Sequence, residues 1–161
     1  MKKMNMEIEI DASNEKVWAS IVEVNFYRLW AKEFMEGSYF EGGWNKGDSI
    51  QFLAVNEAGN KEGMVSEIAE SDYPKYISIR HLGYIMDSVI DTTSDLVKAW
   101  APSYENYTLE ALSDQKTKFK LDMDVEDQYY DMMLEMWQRA MQQLKQVRSE
   151  EHTSELQSRH N

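Results

Sequence analysis

EDQYYDMMLEMWQRAMQQLKQV, from Glu126 to Val147, is the one long stretch of this chain that reads as an uninterrupted helix. Tyr130, Met133, Leu134, Trp137, Met141 and Leu144 recur at the three-and-four spacing of a single helical face, while Glu135, Gln138, Arg139, Gln142 and Lys145 take the other. Such a face must be buried against something. The rest of the chain has to supply the partner.

Immediately before it, KTKFKLDMDV alternates with the period of a strand: Thr117, Phe119, Leu121, Met123 and Val125 on one side, Lys118, Lys120, Asp122 and Asp124 on the other. ENYTLEAL, one turn earlier, puts Tyr107, Leu109 and Ala111 on a common face, and SDQK connects the two. At the start, Met6, Ile8 and Ile10 alternate with Glu7, Glu9 and Asp11, the pattern of a half-buried strand. Ser13 is then placed to cap a short helix with Val17, Trp18 and Ile21 on its apolar side. A bend near Glu23 to Asn25 leads to a second carrying Phe26, Leu29, Trp30 and Phe34.

From Gly37 to Leu82 the pattern is that of hairpins. A Gly42-Gly43 step, a turn over Asn45 to Asp48, a second over Asn56 to Asn60 and a break at Ser71 to Lys75 separate alternating runs, the last of which sets Ile77, Ile79 and His81 on one side and Arg80 on the other. Between Gly83 and Pro102 the period is lost, and the reading is a lid or connection with a single helical turn after Ser94. The order predicts an α+β domain: a curved antiparallel sheet of about six strands wrapped around the long C-terminal helix, with two short helices after the first strand.

Composition narrows the classes of function. With 161 residues the chain makes one domain with a real core. A net charge of -12 opposes nucleic acid and anionic membrane surfaces, and no stretch approaches the roughly 20 apolar residues of a membrane span. With no cysteine, disulfides and thiolate chemistry are excluded, which fits a cytoplasmic protein. Asp87, Asp91 and Asp95 lack the alternation of a calcium loop, and the glycines form no phosphate-binding motif, so no metal and no cofactor are expected.

The last residues, RSEEHTSELQSRHN, have no apolar periodicity, and Arg148 to Ser158 resembles translated sequencing-adapter sequence. The domain is therefore expected over 1–147, with 148–161 a non-native tail and the helix length a lower bound. His152 and His160 fall in that tail, leaving His81 as the histidine of interest.

The succession NEKVWASI, EGGWNKGDSIQFL, GMVSEI, YISIRHLG, ENYTLEAL and DMMLEMWQRAMQQLK resembles the START-like, or SRPBCC, superfamily over residues 4–147, in the branch of the C-terminal domain of the activator of the heat-shock-protein ATPase. The resemblance implies a helix-grip fold and a cavity for a small apolar or amphipathic molecule. It also allows a cyclase- or hydrolase-like enzyme, or a chaperone-regulating or other protein-interaction module, although no chaperone-contact motif is matched.

Two sets of candidates follow. Trp30, Phe34, Phe52, Tyr107, Phe119, Met123, Met133, Trp137 and Met141 sit on faces expected to point between sheet and helix. Flat rings and adaptable thioethers there suit an apolar ligand as well as they suit an ordinary core. Trp137 is the first choice among them. His81 is the candidate acid or base, with Ser66 and Tyr107 as polar neighbours, but no carboxylate can be set opposite it from sequence. Ligand binding without catalysis is the leading expectation.

Overall fold

The computed structural model describes the backbone of residues 1–160 and the side chains of residues 1–148. The tail expected over 148–161, with His152 and His160, lies outside the residues with described side chains except for Arg148. The elements in order are β1 (Lys2–Ile10), α1 (Asn14–Val22), α2 (Val24–Ala31), β2 (Tyr39–Gly42), β3 (Ser49–Val55), β4 (Lys61–Asp72) and β5 (Tyr76–Met86). They continue with β6 (Val89–Asp91), α3 (Asp95–Lys98), β7 (Ser103–Ser113), β8 (Lys116–Val125) and α4 (Tyr130–His160).

One antiparallel sheet of eight strands runs in the order β1-β8-β7-β5-β4-β3-β2, with β6 paired to β5 off that path. Register breaks between Val65 and Ser66 and between Ile68 and Glu70 interrupt the long β4–β5 ladder, and breaks of this kind bend a sheet. The inner face packs on α4 through Phe119, Leu121, Ile77 and Ile79, all at most 2% exposed, and Trp137 in α4 is 1% exposed.

The local signals act as read. Ser13 accepts a hydrogen bond from the Lys16 amide and caps α1, Glu23 ends α1 and begins α2, and Ser94 caps α3 through the Val97 amide. The segment without a period differs from expectation. β5 continues past Gly83 to Met86, and Asp87 and Ser88, at φ of 49° and 65°, turn the chain into β6. Two consecutive residues in the left-handed region make a tight hairpin turn, but Asp-Ser lacks the glycine that usually announces one. Asn56 Nδ2 donates to Asp87 Oδ1, and Ser88 Oγ accepts from the Lys61 amide, so neighbouring strands hold this turn. The long helix also begins later than Glu126, after a 3-10 turn over Asp127–Tyr129.

The interior has two ends. Toward α1, the β7–β8 hairpin and the later turns of α4 are closed by Ile10, Val17, Ile21, Leu109 and Leu144, none more than 2% exposed. Buried polar atoms are matched there: Asn14 Nδ2 donates to the Leu109 carbonyl at 3.1 Å, and Thr117 Oγ1 lies 2.8 Å from the Ala12 carbonyl and from Asn14 Oδ1. Arg148 is 3% exposed, donates to Ser20 Oγ and to the Lys16 carbonyl, and lies over the Phe26 ring at 4.3 Å. The first residue beyond Val147 is thus seated on α1 and α2. Among the described residues no helix is long and apolar enough to cross a membrane.

Candidate functional site

At the other end, toward the first turns of α4, the space between sheet and helix is not filled. A cavity of about 400 Å³ lies there, lined from α2 by Tyr27 and Trp30, from β3 and β4 by Phe52 and Met64, from β5 and β7 by His81, Glu105 and Tyr107, and from α4 by Met133, Met136 and Trp137. Met35, Tyr129 and Met132 also line it and are largely exposed, so it reaches solvent at that edge. Seven of the chain's 11 methionines, Met1, Met35, Met64, Met123, Met132, Met133 and Met136, contribute to its wall. Unbranched thioethers conform to different shapes and polarise against ring faces, which makes such a wall adaptable.

Trp137 is the centre of the aromatic wall. Its ring lies 4.8 Å from Phe34, 5.9 Å from Tyr107, 6.0 Å from Trp30 and 6.5 Å from Phe119, centroid to centroid. Trp30 is fixed by donating from Nε1 to the Ser20 carbonyl at 2.9 Å. The Nε1–H of Trp137 is buried with no acceptor among the described residues. A buried donor without an acceptor is costly, and an oxygen on a bound molecule would satisfy it.

Opposite the rings runs a connected set of polar groups. Ser66 Oγ lies 2.6 Å from His81 Nδ1, His81 Nε2 lies 3.1 Å from Glu105 Oε1, and the Tyr107 hydroxyl donates to Glu105 Oε2. With Nε2–H donating to the carboxylate, Nδ1 accepts from the serine hydroxyl; in an imidazolium it would donate to it. Either way both ring nitrogens are engaged. Glu105 has one donor on each oxygen and lone pairs left over, and its side chain is only 14% exposed. Burial, and then the Glu105 charge, push the Tyr107 hydroxyl well above the ordinary tyrosine range and raise Tyr27 in the same way.

Of the residues singled out from sequence, Trp30, Phe34, Phe52, His81, Tyr107, Met123, Met133 and Trp137 line the cavity. Phe119 and Met141 do not. They have the expected inward orientation, but they lie toward α1, where the interior is packed, and they are 0% and 3% exposed. The carboxylate that could not be placed opposite His81 is Glu105. Its signal was present: it precedes Tyr107 and Leu109 at even spacing in β7, so the strand that turns those two inward turns Glu105 inward as well. Asp87 and Asp91 serve turns, Asp91 accepting from the Thr93 and Ser94 amides, and Asp95 lies in the first turn of α3.

No family model matches the sequence, and no curated protein sequence matches it. Solved structures do match the fold. Protein Ms6760 from Mycobacterium smegmatis superposes with a TM-score of 0.66 at 17% identity, over 90% of this chain and 89% of that one. The Aha1 dimer from Colwellia psychrerythraea gives 0.66 at 16% identity, over 92% and 96%. ChR145 from Cytophaga hutchinsonii gives 0.67 at 17%, over 95% and 97%. The fold is the helix-grip fold. The similarity runs along nearly the whole of each chain, so the long helix, the curved sheet and the two short helices of the helix-grip arrangement are all included in it.

Proposed function

We propose that this protein binds a small apolar or amphipathic molecule in the cavity between the sheet and the first half of α4. The observation that supports the reading is an unfilled space of about 400 Å³ walled by rings and thioethers, into which a few polar groups converge. Glu105 offers an acceptor and Trp137 an unused donor, so the occupant is expected to carry polar atoms at two points. A panel of polycyclic, flavonoid-like and alicyclic compounds tests this by calorimetry and thermal shift. Saturable binding of one molecule per chain with a raised melting temperature is expected, and Ala54→Phe, which puts a ring into the cavity from β3, should weaken it. Failure of the whole panel to bind overturns the reading.

A second reading, a cyclase- or hydrolase-like enzyme using His81, has the Ser66–His81–Glu105–Tyr107 chain in its favour. Ser66 is 2% exposed and is not part of the cavity wall, so it is no nucleophile for a bound molecule. Because both nitrogens of His81 are engaged, a proton would reach the ligand through Glu105 or Tyr107. Turnover of a bound panel member that is lost in His81→Gln would favour this reading over simple binding. A protein-interaction role, suggested by the likeness to Aha1, would draw on the exposed Met86, Val89, Ile90 and Leu96 around β6 and α3.

A further inference from the structure

The charge on the cavity wall is one-sided. Its charged side chains, besides His81, are Glu62, Glu105, Asp124 and Glu126, and among the described residues no lysine or arginine lines it. Three of the four lie where water or a partner can answer them. Asp124 is paired with Lys3 Nζ at 2.9 Å, Glu126 accepts from Gln128 Nε2 at 3.0 Å, and Glu62 is only half-buried in β4. The Met1 ammonium at the mouth is held by Asp127 at 3.2 Å. Glu105 differs from all of these. Its hydrogen-bond donors are a histidine and a tyrosine hydroxyl, and among the described residues no lysine or arginine pairs with it.

A carboxylate withdrawn from water is stabilised by hydrogen bonds, and much more by an opposite charge. Tyr107 and His81 supply the first. On this evidence of a cavity-wall carboxylate whose partners are a histidine and a tyrosine rather than a lysine or arginine, and resting on the reading that the cavity binds a ligand, we propose that its occupant is a hydrophobic amine: an aromatic or alicyclic body bearing a protonated amino group that donates to Glu105. The lone pairs left on the two carboxylate oxygens are the acceptors. Tyr27, Trp30, Phe34, Phe52 and Trp137 line the same space, and aromatic rings attract a cation and pack against an apolar body. An anionic amphiphile such as a fatty acid has the right apolar surface and the wrong charge, because its head group would meet a wall whose carboxylates include Glu62, Glu105 and Glu126. The net charge of -12 acts in the same direction on approach.

Three ligands with one skeleton decide it: 1-naphthylmethylamine, 1-naphthalenemethanol and 1-naphthoate, titrated by calorimetry into the full chain at pH 7. The amine is expected to bind at least about tenfold more tightly than the alcohol, and the carboxylate least. Glu105→Gln should remove the advantage of the amine over the alcohol, and Glu57→Gln, in the exposed Asn56 to Asn60 turn away from the cavity wall, should leave it in place. Equal affinity for amine and alcohol, or preference for the carboxylate, overturns the proposal while the cavity reading stands. Binding by none of the three overturns the proposal, while the cavity reading stands or falls with the wider panel. Persistence of the amine preference in Glu105→Gln overturns the assignment to that residue. The ranking on the unaltered protein decides the matter even where the Glu105→Gln chain folds poorly.

Discussion

The two ends of the same sheet–helix interior are built from different residues, and the difference separates stability from binding. At the α1 end, branched aliphatic side chains and Phe119 meet at essentially zero exposure, and buried polar atoms such as those of Asn14 and Thr117 are matched across layers. Around the cavity, methionines and aromatic rings line a space they do not fill, and the indole N–H groups of Trp100 and Trp137 have no acceptor among the described residues. β-branched side chains have few rotamers and fit one another closely, whereas methionine conforms to whatever is beside it. One end behaves as core and the other as container.

The strongest way to break this contrast is to truncate a large residue at the closed end. Ile21→Ala, in α1 and away from the cavity wall, should cost about 2–5 kcal/mol in urea denaturation, because rigid neighbours cannot collapse into the space, and it should leave the cavity's ligand affinity nearly unchanged in whatever fraction folds. A loss of binding equal to that in a cavity-wall variant would mean the two ends are not separate.

Gly63 sets the backbone of the cavity wall. It lies in β4 at φ +150°, and a Cβ there would run into the Phe52 carbonyl of β3. Gly63→Ala should therefore cost about 2–3 kcal/mol and also disturb the placement of Phe52 in the cavity wall, measurable as reduced stability together with altered ligand affinity. At the closed end, a chain ending at Val147 should be about 2 kcal/mol less stable than one ending at Arg148, since it leaves the Ser20 hydroxyl and the Lys16 carbonyl without their guanidinium donor. A chain ending at Arg148 is expected to match the full-length chain in chemical denaturation.

Alkaline pH separates the ends without mutation. Tyr27 and Tyr107, both on the cavity wall, have their pKa raised chiefly by burial and then by Glu105. They keep their protons in the fold after they would have ionised in the unfolded chain. Their stabilising effect is complete below about pH 10 and falls as pH rises beyond it, by up to about 1.4 kcal/mol per pH unit for each tyrosine. Replacing both with Phe should flatten the decline in a stability–pH profile. The smallest effect is expected at the mouth, where Met133→Leu should change stability by no more than about 1 kcal/mol while shifting ligand preference, because the volume is kept and the adaptable thioether is lost.

The class of fold could be read from periodicity, since periods of two and of three to four are local properties of the chain. The alternation in β8 and the apolar stripe of α4 were legible for that reason, as was the inward direction of His81. β6 was not, because its turn is held by Asn56 and Lys61, residues about 30 positions away in sequence whose contacts with Asp87 and Ser88 no local pattern announces. The same holds at the site. Sequence marked the rings and methionines as inward-facing but could not say which end of the helix each would meet, so Phe119 and Met141 were grouped with residues that surround a cavity.

What the sequence determined by itself was which side of each element is apolar, where helices are capped, and that the whole carries a large negative charge. Only the tertiary structure decided that Glu105 meets His81 and Tyr107, that Arg148 is seated on α1, and that the interior is solid at one end and open at the other. Direction along a face is encoded residue by residue. Whether two faces leave a space depends on the curvature of the sheet and the position of the helix across it, which no single segment carries.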